Sequence, residues 1–214
     1  MQWLYTNIGL FLARLLSLFS LHKLLILADI LGFVFNRIFT YRKTVIDLNL
    51  MYAFPHKKSE ELWFIRSKYY RHLADLIMET IKSISISKKE LKERIQLHHE
   101  SYALLKKYEQ SGQHIFVVLG HYGNWEWASL LAGTETTLPS YAIYAPPSNK
   151  TFDKFLLKNR SRFGCQLIAT NQIKSLYNHL QSKPSLVAFV ADQTPVDISN
   201  AHWTKFLKNE TPFY

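Results

Sequence analysis

Gly120-His121-Tyr122-Gly123-Asn124-Trp125-Glu126-Trp127 follows directly on the apolar run Ile115-Phe116-Val117-Val118-Leu119. The run reads as a buried strand. Trp125 to Leu131 contains neither Gly nor Pro, Asn124 is a good helix N-cap, and Gly133 is a good stop, so the segment beyond the turn reads as a helix. The octapeptide therefore sits on a strand-to-helix turn. His121 precedes Glu126 by five positions. On one continuous helix such residues point ~140° apart. If His121 ends the strand and Glu126 lies in the first helical turn, a bend at Gly123 can fold the imidazole onto the carboxylate. A carboxylate on one ring nitrogen fixes the tautomer and leaves the other nitrogen free to take a proton from a hydroxyl. No serine or cysteine nucleophile stands beside this pair, which points to an attacking oxygen supplied by the substrate. The plain alternative is an ordinary loop histidine and a solvated helix glutamate.

The remainder of the chain alternates strands and helices. Ser140–Tyr144, Gln166–Ala169 and Ser185–Val190 read as further strands; 151–163 and 173–182 read as helices between them. Upstream, Ser59 followed by Glu60 and Glu61 starts a long helix to about Ser83, whose apolar positions Leu62, Ile65, Tyr69, Leu73, Leu76, Ile77 and Ile81 keep helical spacing. Ser87 caps a short charged helix from Lys88 to Arg94, and a further helix covers about 102–110. The pattern predicts an α/β fold with a mixed, largely parallel sheet flanked by helices. Ligands in such sheets bind beyond the carboxyl ends of the strands. His121 and Asp192 both follow strands at that edge, which is the ground for placing them in one site.

His-x4-Glu within GHYGNWEW resembles the catalytic box of the lysophospholipid acyltransferase superfamily and, more narrowly, of the lipid A biosynthesis (late lauroyl/myristoyl) acyltransferases. Further stretches resemble that group in order: Tyr70-Arg71-His72 with Leu76 to Lys82, Tyr144 to Lys150, Asn159 to Gly164, Phe189 to Pro195, Trp203 to Leu207 and Thr211 to Tyr214. The resemblance implies a membrane-associated O-acyltransferase that moves a fatty acyl chain from acyl carrier protein or acyl-CoA to a hydroxyl of a phosphorylated glycolipid, a lipid A precursor, with no metal or organic cofactor. His121 would be the base and Glu126 its orienting acid. Gly123 and Asn124 belong to the same box, with backbone amides at the helix N-terminus as candidate oxyanion donors. Arg160 and Arg162 resemble basic second-block residues that hold a phosphate by forked hydrogen bonds, as Lys150 does less strongly; the alternative is a solvated basic helix. Asp192 and Gln193 resemble a third block that positions the acceptor or supports the site; the alternative is a polar turn, which Thr194-Pro195 also fits. Trp125, Trp127, Trp203, Phe206 and Tyr214 are candidates for an acyl groove or a membrane interface, with core packing as the default. A lysophospholipid or aminolipid acceptor, or a truncated non-catalytic membrane-binding homologue, are the rival readings. The family usually continues beyond the Thr-Pro-Phe stretch, so the fold's C-terminal part is expected to be missing.

At 214 residues, 48% hydrophobic, the chain can build one sizeable core. A net charge of +10 suits an anionic membrane, an acidic carrier protein or nucleic acid, but no zinc-finger or RNA-recognition spacing supports the last. Cys165 is the single cysteine and reads as a small core residue, so no internal disulfide forms. His98 and His99 lack convergent metal ligands, and no glycine-rich nucleotide loop is present. Residues 3–21 are apolar but for Thr6, Asn7, Ser17, Ser20 and the charged Arg14, close to the length of a bilayer span. A shorter apolar stretch from Leu24 to Phe35 carries Asp29, and Arg37, Arg42 and Lys43 follow. A basic leader and a cleavage site are lacking, and positive flanks stay on the cytoplasmic side. The expectation is a membrane anchor over 1–43 and an acyltransferase domain over 44–214, held on the cytoplasmic face of a bacterial inner membrane; the alternative is a soluble domain with a buried N-terminal helix.

Overall fold

The computed structural model describes residues 2–39, 41–195, 197–199, 201–207 and 209–213. Tyr214, counted among the candidate groove aromatics, lies outside them. Helices α1 (Gln2–Ser17), α2 (Leu21–Val34), α3 (Lys43–Ala53), α4 (Ser59–Lys82), α5 (Lys88–Arg94) and α6 (His99–Gln110) precede the sheet. Strands β1 (Ile115–Leu119), β2 (Ser140–Tyr144), β3 (Gln166–Ala169) and β4 (Leu186–Val190) then alternate with helices α7 (Ala128–Glu135), α8 (Lys150–Arg160) and α9 (Ile173–Leu180). The four strands form one parallel sheet in the order β1-β4-β2-β3, and a separate antiparallel hairpin, β5 (His202–Phe206) with β6 (Asn209–Phe213), closes the chain. The fold class is thus the α/β sheet flanked by helices that the alternation predicts.

The helix boundaries follow local chemistry. The Ser87 hydroxyl accepts the Glu90 N–H at 3.1 Å, capping α5 as its position before a charged run predicts. At the start of α4, the Glu61 carboxylate accepts the Lys58 backbone N–H at 3.1 Å. The hairpin was not legible in the sequence. Its turn places Leu207 at φ 47°, a left-handed conformation that a leucine seldom signals.

Three apolar clusters hold the body together. Leu24 and Ala28 of α2 pack on Ala74 and Met78 of α4. Leu21, Ile86 and Leu91 pack against Trp127 and Leu130, joining the helical part to the segment after β1. Tyr141, Ile168, Leu176 and Val187 form the core between the sheet and α9. Cys165 is buried, and burial pushes its thiol up to about 12, which agrees with a packing role.

Two expectations are corrected. The apolar stretch over residues 3–21 is not one continuous helix: α1 ends at Ser17, whose hydroxyl donates to the Arg14 carbonyl at 2.7 Å, and the chain is extended at Ser20 before α2. Among the described residues no single helix is long and apolar enough to cross a membrane, although Leu21–Phe39 with Lys43–Ala53, bent by 96°, passes the test of length and composition. Nor does Gly133 stop a helix. It lies inside α7, where the turn between α8 and β3 presses on it: a Cβ there would sit 2.5 Å from the Phe163 carbonyl oxygen and 2.8 Å from the Cys165 nitrogen. Glycine is needed at this point for close approach rather than for termination. Gly133→Ala is expected to cost about 1–3 kcal/mol of stability by overpacking, read from the midpoint of urea unfolding.

Candidate active site

The register of β1 and β4 builds the centre. Leu119 pairs with Val190, and the Ala191 N–H donates to the Leu119 carbonyl at 3.0 Å. His121 and Asp192 each stand two residues past those paired positions and therefore leave the sheet side by side. The Asp192 carboxylate lies 2.5 Å from His121 Nδ1 and accepts the His121 backbone N–H at 2.6 Å. Gly120 leaves room for this contact, since a Cβ there would meet Asp192 Oδ2 at 3.0 Å. Partial burial works to raise the Asp192 carboxyl, but the hydrogen bonds from the His121 ring and backbone outweigh it and hold the group below its ordinary value. A carboxylate at Nδ1 favours the tautomer that carries its proton there and leaves Nε2 as the acceptor. The ring is about a quarter exposed.

The carboxylate partner of His121 is thus Asp192, not Glu126. Gly123 adopts the expected left-handed bend at φ 58°, but the following residues form a tight 3₁₀ turn, Trp125–Trp127, that carries Glu126 toward α8. There the Arg160 guanidinium grips it: Nε to Oε2 at 2.9 Å, Nη2 to Oε1 at 2.5 Å and Nη2 to Oε2 at 2.7 Å. Both side chains are largely buried. The Trp125 ring touches both pairs: its centroid lies 4.6 Å from that of the His121 ring in a T-shaped contact, and the Arg160 guanidinium carbon lies 5.7 Å from the same Trp125 centroid. Glu126 thereby acts on the histidine's setting through Arg160 and Trp125 rather than by direct contact.

The other expected residues separate into those near this centre and those elsewhere. Asn124 turns inward. Its Oδ1 accepts the Trp127 N–H at 3.2 Å, the N-cap its position predicts, and its Nδ2 donates to Glu79 at 2.7 Å. Arg162 is not available to a phosphate, because its guanidinium donates to the Ile84 carbonyl at 3.0 Å and to the Ile86 carbonyl. Its burial lowers its pKa. Lys150 is exposed at the first turn of α8, about 15 Å along the axis from Arg160. Gln193 is exposed beside Asp192. Trp127 is a core residue, its indole Nε1 donating to the Glu79 carbonyl at 2.9 Å. Trp203 and Phe206 stand exposed on the hairpin.

An apolar cleft of about 510 Å³ runs beside β1, lined by Leu104, Tyr108, Phe116, Val118, Leu131 and Leu186 among others, and reaches Leu119 two residues before the histidine. Sequence reasoning missed Glu79 altogether and gave Asp192 a supporting role. The signal for Asp192 was its equal offset from a strand end, which becomes decisive only when β4 is known to lie next to β1.

The parallel α/β sheet thus carries a histidine–carboxylate pair at the carboxyl ends of two neighbouring strands, an arrangement of the kind general-base chemistry uses. The sequence profile of the bacterial lipid A biosynthesis acyltransferases matches residues 1–211, and this chain belongs to that family, so the class of reaction is acyl transfer. No curated protein matches the chain.

The Glu126–Arg160 pair is open to a direct check. Glu126→Ala and Arg160→Ala are each expected to cost about 3 kcal/mol by leaving a buried charge alone. The double variant should cost less than the sum by about 1–3 kcal/mol, as measured by urea unfolding.

Proposed function

We propose that this protein transfers a fatty acyl group from a thioester donor, acyl carrier protein or acyl-CoA, to a hydroxyl of a phosphorylated lipid A precursor at the cytoplasmic face of a bacterial inner membrane. The observation that carries the reading is His121 at the carboxyl end of β1, its Nδ1 engaged by Asp192, in a chain of this family. Nε2 takes the proton of the acceptor hydroxyl as the oxygen attacks the thioester carbonyl. The tetrahedral adduct collapses with cleavage of the carbon–sulfur bond, and the proton passes from the imidazolium to the departing thiolate. The products are an ester and a free thiol. Asp192 stabilises the imidazolium that forms in between. The Trp127 N–H is already capped by Asn124, so oxyanion donors are to be sought among the other amides of the turn. The apolar cleft beside β1 suits the acyl chain, because it opens next to the strand that delivers His121.

The membrane part of the reading is supported by α1, which is amphipathic in the reverse sense of a soluble protein's surface helix. Leu4, Ile8, Phe11 and Leu15, spaced at helical repeats, face outward, while Thr6 is turned inward and accepts a hydrogen bond from Asn149 Nδ2 at 2.8 Å. Exposed Phe33, Ile38, Phe39 and Tyr41 extend the apolar surface, with Arg37, Arg42 and Lys43 among them. Such a face lies in the plane of a bilayer interface and is strengthened by anionic lipid.

With purified protein, labelled acyl donor and lipid A precursor, His121→Ala should abolish ester formation, and Asp192→Asn should lower kcat about 10²- to 10⁴-fold. Undiminished turnover by His121→Ala sinks the proposed base. In flotation with anionic vesicles, the wild type should rise with the lipid. A Phe11→Asp/Leu15→Asp variant should lose most of that binding, and equal flotation of the two would remove α1 from the interface.

A further inference from the structure

One carboxylate at the catalytic turn has no part in the acyl-transfer scheme. Glu79 lies in the last turns of α4, half-buried, and it touches the turn twice: its Oε2 accepts Asn124 Nδ2 at 2.7 Å, and its backbone carbonyl accepts Trp127 Nε1 at 2.9 Å. Burial raises its carboxyl above the ordinary value; the hydrogen bond from Asn124 opposes this and the charge of Asp75, one helical turn away, adds to it. A carboxyl placed where ionisation is disfavoured needs a compensating contact, and Asn124 supplies it.

We propose that Glu79 is a positioning residue of the catalytic turn, acting through the Asn124 side chain; the assignment rests on the acyl-transfer reading above. The side-chain amide of Asn124 has two ends, and each is committed. Nδ2 is held by Glu79, and this aims Oδ1 at the Trp127 N–H, 3.2 Å away. That cap starts the 3₁₀ turn at Trp125 and fixes the direction in which the chain leaves the Gly123 bend. His121 lies on one side of the bend, and Trp125, against its ring, on the other. Glu79 itself cannot drift, because the same stretch of α4 is packed through Met78 against α2 and tied at Ser83 to Asn159 of α8 at 2.7 Å. Without an acceptor at position 79 the amide loses its reason to keep Oδ1 on the cap, and the turn carrying the base and Trp125 loosens.

The test uses the full chain and four variants: Glu79→Ala, Glu79→Gln, Asn124→Asp and the double Glu79→Gln/Asn124→Asp. Glutamine keeps an acceptor for Nδ2. Asn124→Asp keeps the cap acceptor but sets two acids face to face, and the double variant restores the hydrogen bond with donor and acceptor exchanged. Four quantities are read: kcat, KM, the folded fraction, and the nitrogen NMR signals of the His121 ring. Glu79→Ala should lose about 10- to 100-fold in kcat with KM nearly unchanged, in a protein that remains folded. Glu79→Gln should recover most of that loss, and the double variant should exceed Asn124→Asp by about tenfold. The proposal is overturned if Glu79→Ala keeps wild-type kcat, if its loss only follows the unfolded fraction, or if neither Glu79→Gln nor the double variant recovers. If the wild type acylates no acceptor, the functional reading fails by itself. The His121 signals then decide this one: a change in Glu79→Ala that Glu79→Gln reverses supports it, and identical signals overturn it.

Discussion

The parallel pairing of β1 with β4 is the constraint on which the site depends. Hydrogen bonds between parallel strands fix register to the residue, because a slip by one would turn every side chain to the opposite face. With Leu119 opposite Val190, the two chains leave the sheet together, and a histidine and an aspartate at the same offset meet without any further device. Among the described residues β1 is an edge strand bonded to β4, so its register with β4 is what brings the start of the turn beside Asp192. The contact also explains a glycine in the motif. Position 120 must pass within reach of the Asp192 carboxylate, and any side chain there would contest the space.

A second constraint comes from the C-terminal end of α4. Between residues 79 and 86 this segment meets the turn after β1, the C-terminal end of α8 and the chain between α1 and α2. Glu79 holds the catalytic turn, Ser83 receives Asn159 of α8, and Arg162 closes on the carbonyls of Ile84 and Ile86. Lys82 donates to the Phe19 carbonyl at 3.3 Å, and Ser85 donates to the Ser17 carbonyl at the end of α1. These bonds satisfy carbonyls at helix ends that would otherwise lack partners. They also join the N-terminal helices, with their outward apolar face, to the part of the fold that carries His121. Arg162 shows this most clearly: its two terminal nitrogens are drawn out of water onto the carbonyls of Ile84 and Ile86.

Much of this was readable from the chain. The four strands of the parallel sheet were legible as short runs bounded by turn residues, and their alternation with helices pointed to a mixed, largely parallel sheet. The cap at Asn124, the start of α5 at Ser87 and the bend at Gly123 are local events, and local chemistry announces them. Strand order is a non-local fact. Without it the acid two residues past β4 could not be matched to the histidine two residues past β1, and the acid five residues downstream of the histidine looked nearer. Arg160 and Arg162 show the same limit in miniature. They are two residues apart on a basic stretch, yet one grips Glu126 beside the catalytic turn and the other is spent on backbone carbonyls of α4's exit. Only packing distinguishes them. Gly133 misled for a related reason, since a glycine inside a helix and a glycine ending one look alike until the neighbouring segment is in view.

The exchange of partners changes what the motif's acid is for. In the proposed acyl-transfer scheme a carboxylate in contact with the imidazole stabilises the positive charge that forms on it, and Asp192 makes that contact. A carboxylate locked to a guanidinium in a largely buried pair is nearly neutralised and has little charge left to offer the ring. What such a pair supplies is rigidity. It holds the 3₁₀ turn to α8, and it clamps Trp125 in the gap between Arg160 and His121. An aromatic edge or face against the imidazole limits the rotation of that ring and keeps water from one side of it, while Asp192 limits its rotation from the other. A histidine about a quarter exposed, at the end of an edge strand, needs both restraints to keep Nε2 aimed at one place. The fixed spacing from His121 to Glu126 is then the length of chain required to leave the strand, bend at Gly123, pass Trp125 against the imidazole and reach the arginine of α8.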